Sequence, residues 1–177
     1  WSPDGRVILF RVFDSASNFE LWTLTLDRDR KPVPFLKTAY GVSHGQFSHD
    51  GKWVAYASNE SGRWEIHVAP FPEPGGNWRV SSAGGSEPRW REDGKELYYI
   101  APDGKMMAVE MRDGSPIEAG PARPLFQTRR REHISSADLF SYDVSADGQR
   151  FLVNTDVGEL ASPTLTVVLN WTAESKR

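Results

Sequence analysis

The sequence predicts an all-β chain: a partial β-propeller of about four blades of four-stranded antiparallel sheets, with the first and last blades incomplete. Three observations lead there. A ten-residue phrase centred on Asp-Gly occurs four times. Short runs of β-forming, alternating residues follow each copy. No segment carries the three-to-four-residue apolar spacing of an amphipathic helix of useful length.

The phrase runs from Trp1 to Phe10, Phe47 to Tyr56, Trp90 to Tyr99 and Val144 to Val153. Its Asp-Gly pairs begin at Asp4, Asp50, Asp93 and Asp147, at intervals of 46, 43 and 54 residues. Strand-rich repeats of roughly 40–50 residues are the spacing of propeller blades. The longer last interval implies an insertion near Arg129 to His133. Asp-Gly between apolar runs predicts a hairpin closed by a tight primed turn, where glycine accepts positive φ at little cost. After the first turn, Val7, Leu9 and Arg11 fall on one face and Ile8, Phe10 and Val12 on the other. A strand apolar on both faces is sandwiched between layers, as when blades pack face to face. Trp1, Phe47, Trp90 and Val144, just before the turns, are expected to face the space between blades.

A third strand follows in each unit: Phe19 to Leu26, Trp64 to Ala69, Met106 to Met111 and Thr164 to Trp171. A weaker fourth is expected at Val33 to Leu36, Trp78 to Val80 and Arg123 to Phe126, where prolines suit an outer edge. The reading gives fourteen strands in blades of about 1–39, 40–82, 83–128 and 129–177. Complete propellers have about four to eight blades, and an unclosed set leaves open edges. The chain therefore reads as the C-terminal part of a larger propeller, with a closed four-bladed ring as the alternative.

Composition removes several function classes. A net charge of -3 gives no electrostatic footprint for nucleic acid. No apolar run reaches the ~20 residues that span a bilayer, and Trp1 to Gly5 has neither the basic nor the apolar region of a signal peptide. The absence of cysteine removes disulfides, thiolate nucleophiles and Cys-based zinc sites.

Local motifs read as structure rather than chemistry. Gly41-Val-Ser43-His-Gly45 has the spacing of a nucleophile elbow, but a hairpin phrase follows it where the elbow needs a helix. His44, His49, His67 and His133 lack the spacing of a metal site. Asp93 and Asp103 each precede glycine and read as turn residues. Arg129 to Arg131 reads as a solvated loop, and the sequons at Asn59 and Asn170 matter only in a glycosylating pathway. No catalytic, cofactor or metal residue is assigned. The residues leading into the inner strands are expected to line the channel or its mouth: Ser43, His44 and Gln46; Ser86, Glu87 and Arg89; Ser136, Asp138 and Ser141. Such a set suits a protein, a peptide or a small polar ligand; the alternative is a hydrated channel that binds nothing.

The phrase aromatic-Ser-x-Asp-Gly-Lys/Arg, with Gly-x-x-Glu/Asn before the next strand, resembles the TolB-type, WD40-like propeller repeat. Trp1 to Leu26 and Phe47 to Val68 fit it best; Trp90 to Met111 carries Arg91-Glu92 in place of Ser-Pro, and Val144 to Val153 fits only the first half. Neither the Gly-His…Trp-Asp pair of true WD40 repeats nor the sialidase Asp-box is present. Three further stretches, Thr166 to Arg177, Pro70 to Gly76 with Trp78-Arg-Val-Ser81, and Glu87 to Tyr99, resemble the propellers fused behind bacterial Ser/Thr protein kinases. That resemblance implies a kinase domain, a membrane span and then an extracytoplasmic sensor propeller. The kinase's own Gly-rich loop, His-Arg-Asp and Asp-Phe-Gly motifs are absent here. A TolB-like periplasmic scaffold and the gating propeller of a prolyl-oligopeptidase-like serine peptidase are the alternatives. The polar ending Thr172 to Arg177 reads as a natural terminus, which counts against the peptidase.

Overall fold

The computed structural model describes residues 1–13, 19–27, 30–112, 114, 117–129 and 140–155, and the backbone of 166–169. The expected turns at Ser15 to Asn18 and Gly158 to Pro163, the Arg130 to His133 part of the insertion, Ser136, Asp138, Asn170 and the tail from Thr172 lie outside the described residues.

Four antiparallel sheets follow one another along the chain. The first contains β1 (Val7–Phe13), β2 (Phe19–Thr25) and β3 (Pro32–Leu36) in spatial order. The second contains β4 (Val42–Phe47), β5 (Trp53–Ser58), β6 (Glu65–Pro70) and β7 (Trp78–Arg79). The third is formed by β8 (Ser86–Trp90), β9 (Glu96–Ile100) and β10 (Lys105–Arg112), with both β11 (Glu118–Ala119) and β12 (Arg123–Gln127) on the outer side of β10. The fourth has β13 (Tyr142–Val144), β14 (Arg150–Val153) and β15 (Thr166–Leu169). This is a partial propeller. The described strands exceed the sequence-based count by one, because the two-residue β11 pairs with Met111 and Arg112 at the far end of β10. The prolines do sit on outer edges: Pro34 and Pro124 lie at register shifts opposite Trp22 and Met107, where a missing N–H leaves the ladder intact.

The hairpin phrase closes differently from the expected primed turn. Ser2 N–H donates to the Val7 carbonyl at 2.8 Å and Gly5 N–H to the Ser2 carbonyl at 2.9 Å, so four residues form the loop. Pro3 cannot take positive φ, and only Gly5 does, at 70°. The loop is thus an ordinary four-residue turn ending in a left-handed glycine. Side chains lock it. Ser48 Oγ donates to Asp50 Oδ1 at 2.7 Å and accepts Trp53 N–H at 3.0 Å, while Asp50 Oδ1 accepts Lys52 N–H at 3.1 Å. Ser2 with Asp4 and Ser145 with Asp147 repeat the pattern. In the third copy Arg91 replaces the serine, and its guanidinium grips Asp93 through Nε at 2.7 Å and Nη2 at 2.8 Å.

Three apolar layers hold the sheets together, and alternate residues of each strand enter alternate layers. Leu21, Phe35 and Leu36 of the first sheet meet Phe47, Val54, Tyr56 and Ala69 of the second. Ala55, Ala57, Ile66 and Val68 of the second meet Trp90, Leu97, Tyr99 and Val109 of the third. Tyr98, Ile100 and Met106 of the third meet Tyr142, Phe151 and Val153 of the fourth. Phe47 and Trp90 thus face between sheets as expected, whereas Trp1 is 72% exposed. Glycine allows the close approach: a Cβ on Gly45 would stand 2.7 Å from Leu9 and 2.9 Å from Leu21.

A buried carboxylate ties the second sheet to the approach to the third. Glu65, fully buried, accepts Gly84 N–H at 2.9 Å on the way into β8, and also binds Ser81 Oγ and Arg63 Nε. Burial alone would raise its pKa, but the bonds from Ser81 and Arg63 outweigh burial and hold it below the ordinary glutamate value. Glu20 holds the corresponding place in β2, bonded to Trp22 Nε1 at 2.7 Å and to Lys37 at 3.1 Å.

Candidate interaction site

The inner strands β4 and β8 share an irregularity that positions the site. Their ladders shift register between Ser43 and Gln46 and between Ser86 and Arg89. Within those shifts His44 and Glu87 take φ of 52° and 58°, left-handed values that non-glycine residues rarely adopt. Such bulges re-aim side chains. Past them, Gln46, Arg89 and Asp143 occupy the same repeat position, each two residues before the turn's Ser48, Arg91 or Ser145.

These three positions converge. Arg89 Nη1 lies 3.7 Å from Asp143 Oδ1, and its guanidinium carbon sits 4.0 Å from the centre of the Phe140 ring. The Gln46 amide, turned to satisfy both neighbours, donates to the Pro88 carbonyl at 2.9 Å and accepts Arg89 Nη1 at 3.2 Å. Trp90 Nε1 donates to the Gln46 carbonyl at 3.3 Å. Above them runs a cleft of about 230 Å³, lined also by His49, Arg91, Glu92 and Val144 to Ala146. It continues into a wider depression of about 550 Å³ at the Asp-Gly turns, lined by His49, Arg91, Glu92, Asp93, Ala146 and Asp147.

The expected site residues therefore divide. Gln46 and Arg89 line the cleft. Glu87 and Ser141 are buried against each other instead: Glu87 Oε2 accepts Ser141 N–H at 2.5 Å and Ser141 Oγ at 2.7 Å, and the Glu87 carbonyl accepts Tyr142 OH at 2.8 Å. Burial drives the Tyr142 hydroxyl well above the ordinary tyrosine range. His44 packs edge-on against Phe140 at 5.3 Å. Ser43 is buried opposite Ala57, and Ser86 is half-buried opposite Ile100. Asp138 lies outside the described residues. His49, Glu92 and Asp143 were missed as cleft residues. Their signal was positional: His49, Glu92 and Ala146 fill the variable place before Asp in three consecutive copies of the phrase, so one end of the propeller gathers them.

Hydrogen bonds and ion pairs set the charge state of the turn carboxylates. The Arg91 guanidinium lowers the Asp93 pKa, and Asp93 in turn raises that of Arg91. The Ser145 hydroxyl lowers that of Asp147. Both carboxylates are held below the ordinary aspartate value and act as hydrogen-bond acceptors in the turns. Among the described residues, no group of three or more His, Cys, Asp or Glu converges to hold a metal. Among them, too, no helix is long and apolar enough to cross a membrane.

No family model matches the chain, and no curated protein does. Solved structures do. TolB from Acinetobacter baumannii superposes with a TM-score of 0.69 over 96% of this chain and 39% of its own, at 18% identity. A protein described as a putative 6-phosphogluconolactonase from Bacteroides uniformis gives 0.57 over 96% of this chain and 53% of its own, at 15% identity. The Cps50 (Swd1) β-propeller domain from Myceliophteria thermophila gives 0.57 over 92% and 52%, at 13% identity. At such identities the likeness establishes the propeller fold, which hosts binding modules and enzymes alike. The chain spans between about two fifths and one half of these relatives.

Proposed function

We propose that this chain is a non-enzymatic interaction propeller that takes a polar protein segment, peptide or small ligand at the turn end of its inner strands. The convergence of one repeat position, Gln46, Arg89 and Asp143, beneath the His49–Glu92–Ala146 turns carries this reading. Three copies of one loop offer a rigid rim with variable side chains, which is how propellers and other scaffolds vary specificity. Peptides selected from a displayed library against the whole chain test it. Binding that falls at least tenfold in His49→Ala and Glu92→Ala supports the cleft; selected peptides indifferent to both changes exclude it.

The same reading makes the chain the sensor part of a bacterial transmembrane Ser/Thr kinase, on the extracytoplasmic side. The support is the resemblance at Pro70 to Gly76, Glu87 to Tyr99 and Thr166 to Arg177. A kinase catalytic loop and a membrane span in the upstream reading frame would bear it out. The likeness to TolB over nearly the whole chain favours a second reading, a periplasmic scaffold without a kinase. A signal peptide followed only by further Asp-Gly repeats would decide for that reading.

A further inference from the structure

Two arginines line the cleft, and the chain matches them unequally. Arg91 bonds Asp93 through Nε and Nη2 and Glu96 through Nη1, so two carboxylates fill its fork. Arg89 has no such match. Its side chain is 22% exposed, so most of the cation is withdrawn from water. Its Nε is buried without a hydrogen bond. Nη1 reaches the Gln46 amide oxygen, a neutral acceptor, at 3.2 Å, and Asp143 stands at 3.7 Å, beyond hydrogen-bond reach. The Phe140 ring lies 4.0 Å from the guanidinium carbon and holds the group in place, but supplies no lone pair. A guanidinium carries five N–H donors in a rigid fork that fits a carboxylate. Arg89 is therefore a desolvated, under-bonded cation at the wall of a cavity, and a carboxylate entering the cleft would complete it.

The rim has the opposite character. Asp93 is held by Arg91, and Asp147 by the Ser145 hydroxyl and Gln149 N–H. Glu92 lines both cavities, is exposed and, among the described residues, makes neither an ion pair nor a hydrogen bond. It stands three residues after Arg89, so the two backbones are at most about 11 Å apart, a span that an extended peptide covers in roughly three residues.

We propose that the cleft selects a dipolar peptide segment, whose carboxylate sits on the Arg89 guanidinium and whose cationic side chain, within about three residues of it, sits on Glu92. The proposal rests on the reading of this cleft as a peptide-binding site. A wholly acidic segment would meet Glu92 and Asp143, and a wholly basic one would meet Arg89, so each is disfavoured. The carboxylate comes from an acidic side chain or from the C-terminus of the segment.

Peptides selected from a displayed library against the whole chain, then synthesised, are the probes. Each is titrated as selected, with its acidic side chains changed to amides, with its C-terminus amidated, and with its basic side chains changed to norleucine. At least tenfold loss is expected on removing the carboxylate and on removing the cation; which of the two carboxylate changes causes the loss identifies its source. In Arg89→Gln the parent peptide binds at least tenfold more weakly, and removing its carboxylate has no further effect. Arg89→Lys recovers only part, because a point charge lacks the fork. Glu92→Gln abolishes the dependence on the basic residue in the same way. Equal losses from the carboxylate change in the unaltered chain and in Arg89→Gln mean that the two groups do not meet, which overturns the proposal. Peptides that need His49 and Glu92 but tolerate Arg89→Gln leave the cleft a binding site and overturn the dipolar ligand alone. Peptides indifferent to all three residues, or no binder at all, overturn both readings. Should Arg89→Gln fail to fold, the unaltered chain decides: peptides without the carboxylate bind at least tenfold more weakly, and unchanged affinity contradicts the proposal.

Discussion

Glu87 and Ser141 are 54 residues apart in sequence, yet one carboxylate oxygen of Glu87 receives both the N–H and the hydroxyl of Ser141. The contact joins the bulge of β8 to the residue just before β13, so it fixes the fourth sheet against the third just below the cleft. Glu87→Ala leaves both Ser141 donors buried without that acceptor. Each such group costs about 1–3 kcal/mol, and the expected loss is about 2–4 kcal/mol. Urea unfolding followed by tryptophan fluorescence measures it; a change below about 0.5 kcal/mol would assign the pair no structural weight.

His67 makes stability depend on acid. The ring is 2% exposed and stacks on Tyr56 at 5.7 Å, and neither nitrogen makes a hydrogen bond. Glu60 Oε1 lies 3.6 Å from Nδ1. Burial lowers the His67 pKa; Glu60 and Glu65 oppose that shift, and Arg79 reinforces it. The same burial raises the Tyr56 hydroxyl to about 12. Because the unfolded chain binds the His67 proton more readily, its contribution is complete above the unfolded histidine pKa of about 6.5 and is lost as pH falls below it. The slope is at most about 1.4 kcal/mol per pH unit. His67→Phe preserves the stack, and the expected outcome is a flatter stability profile between the unfolded pKa and the lower folded one. An unchanged profile would point to other groups.

The serine of the repeated phrase is a structural lock. Ser48 is 3% exposed and its hydroxyl bridges Asp50 and Trp53 N–H. Ser48→Ala is expected to cost about 1–2 kcal/mol. Ser48→Arg, copying the third unit, tests whether an arginine can take over the lock as Arg91 does; recovery of part of the lost stability is the expected result.

Gly148 is constrained twice. Its φ is 70°, and a Cβ there would stand 2.3 Å from the Tyr98 hydroxyl and 2.7 Å from Arg91 Cδ. Gly148→Ala therefore combines left-handed strain of about 1 kcal/mol with displacement of Arg91 from the cleft wall. Gly5 has the same φ with nothing within 4 Å, so Gly5→Ala carries the strain alone. The first substitution is expected to lower the melting temperature more than the second. Equal shifts would show that Arg91 and Tyr98 move aside freely.

The propeller was legible because its signals are local and repeated. Asp-Gly fixes each hairpin, with a preceding serine in three copies and Arg91 in the other, and two-sided alternation such as Ile8-Leu9-Phe10 announces a strand between layers. The turn type was not legible: Asp-Gly alone suggests two central residues, and the side-chain bonds of Ser48 to Asp50 and Trp53 lengthen the loop to four. The extra strand β11 was also hidden, since Glu118 and Ala119 carry no β pattern and pair only because β10 runs long. The site was half legible. Repeat position pointed to Gln46 and Arg89, but no sequence rule shows that Glu87, three residues before Trp90, turns inward to Ser141 through a left-handed bulge. Burial and a contact across 54 residues decide that, and both are tertiary.

Photocrosslinking in the producing cell tests the binding cleft most directly. A photoreactive residue is placed at His49 or at Glu92, and for comparison at Glu118 on the outer strand β11. Discrete adducts from the two cleft positions, and none from Glu118, are expected. Adducts confined to Glu118, or equal at all three positions, would contradict a binding surface at the turn end of the propeller.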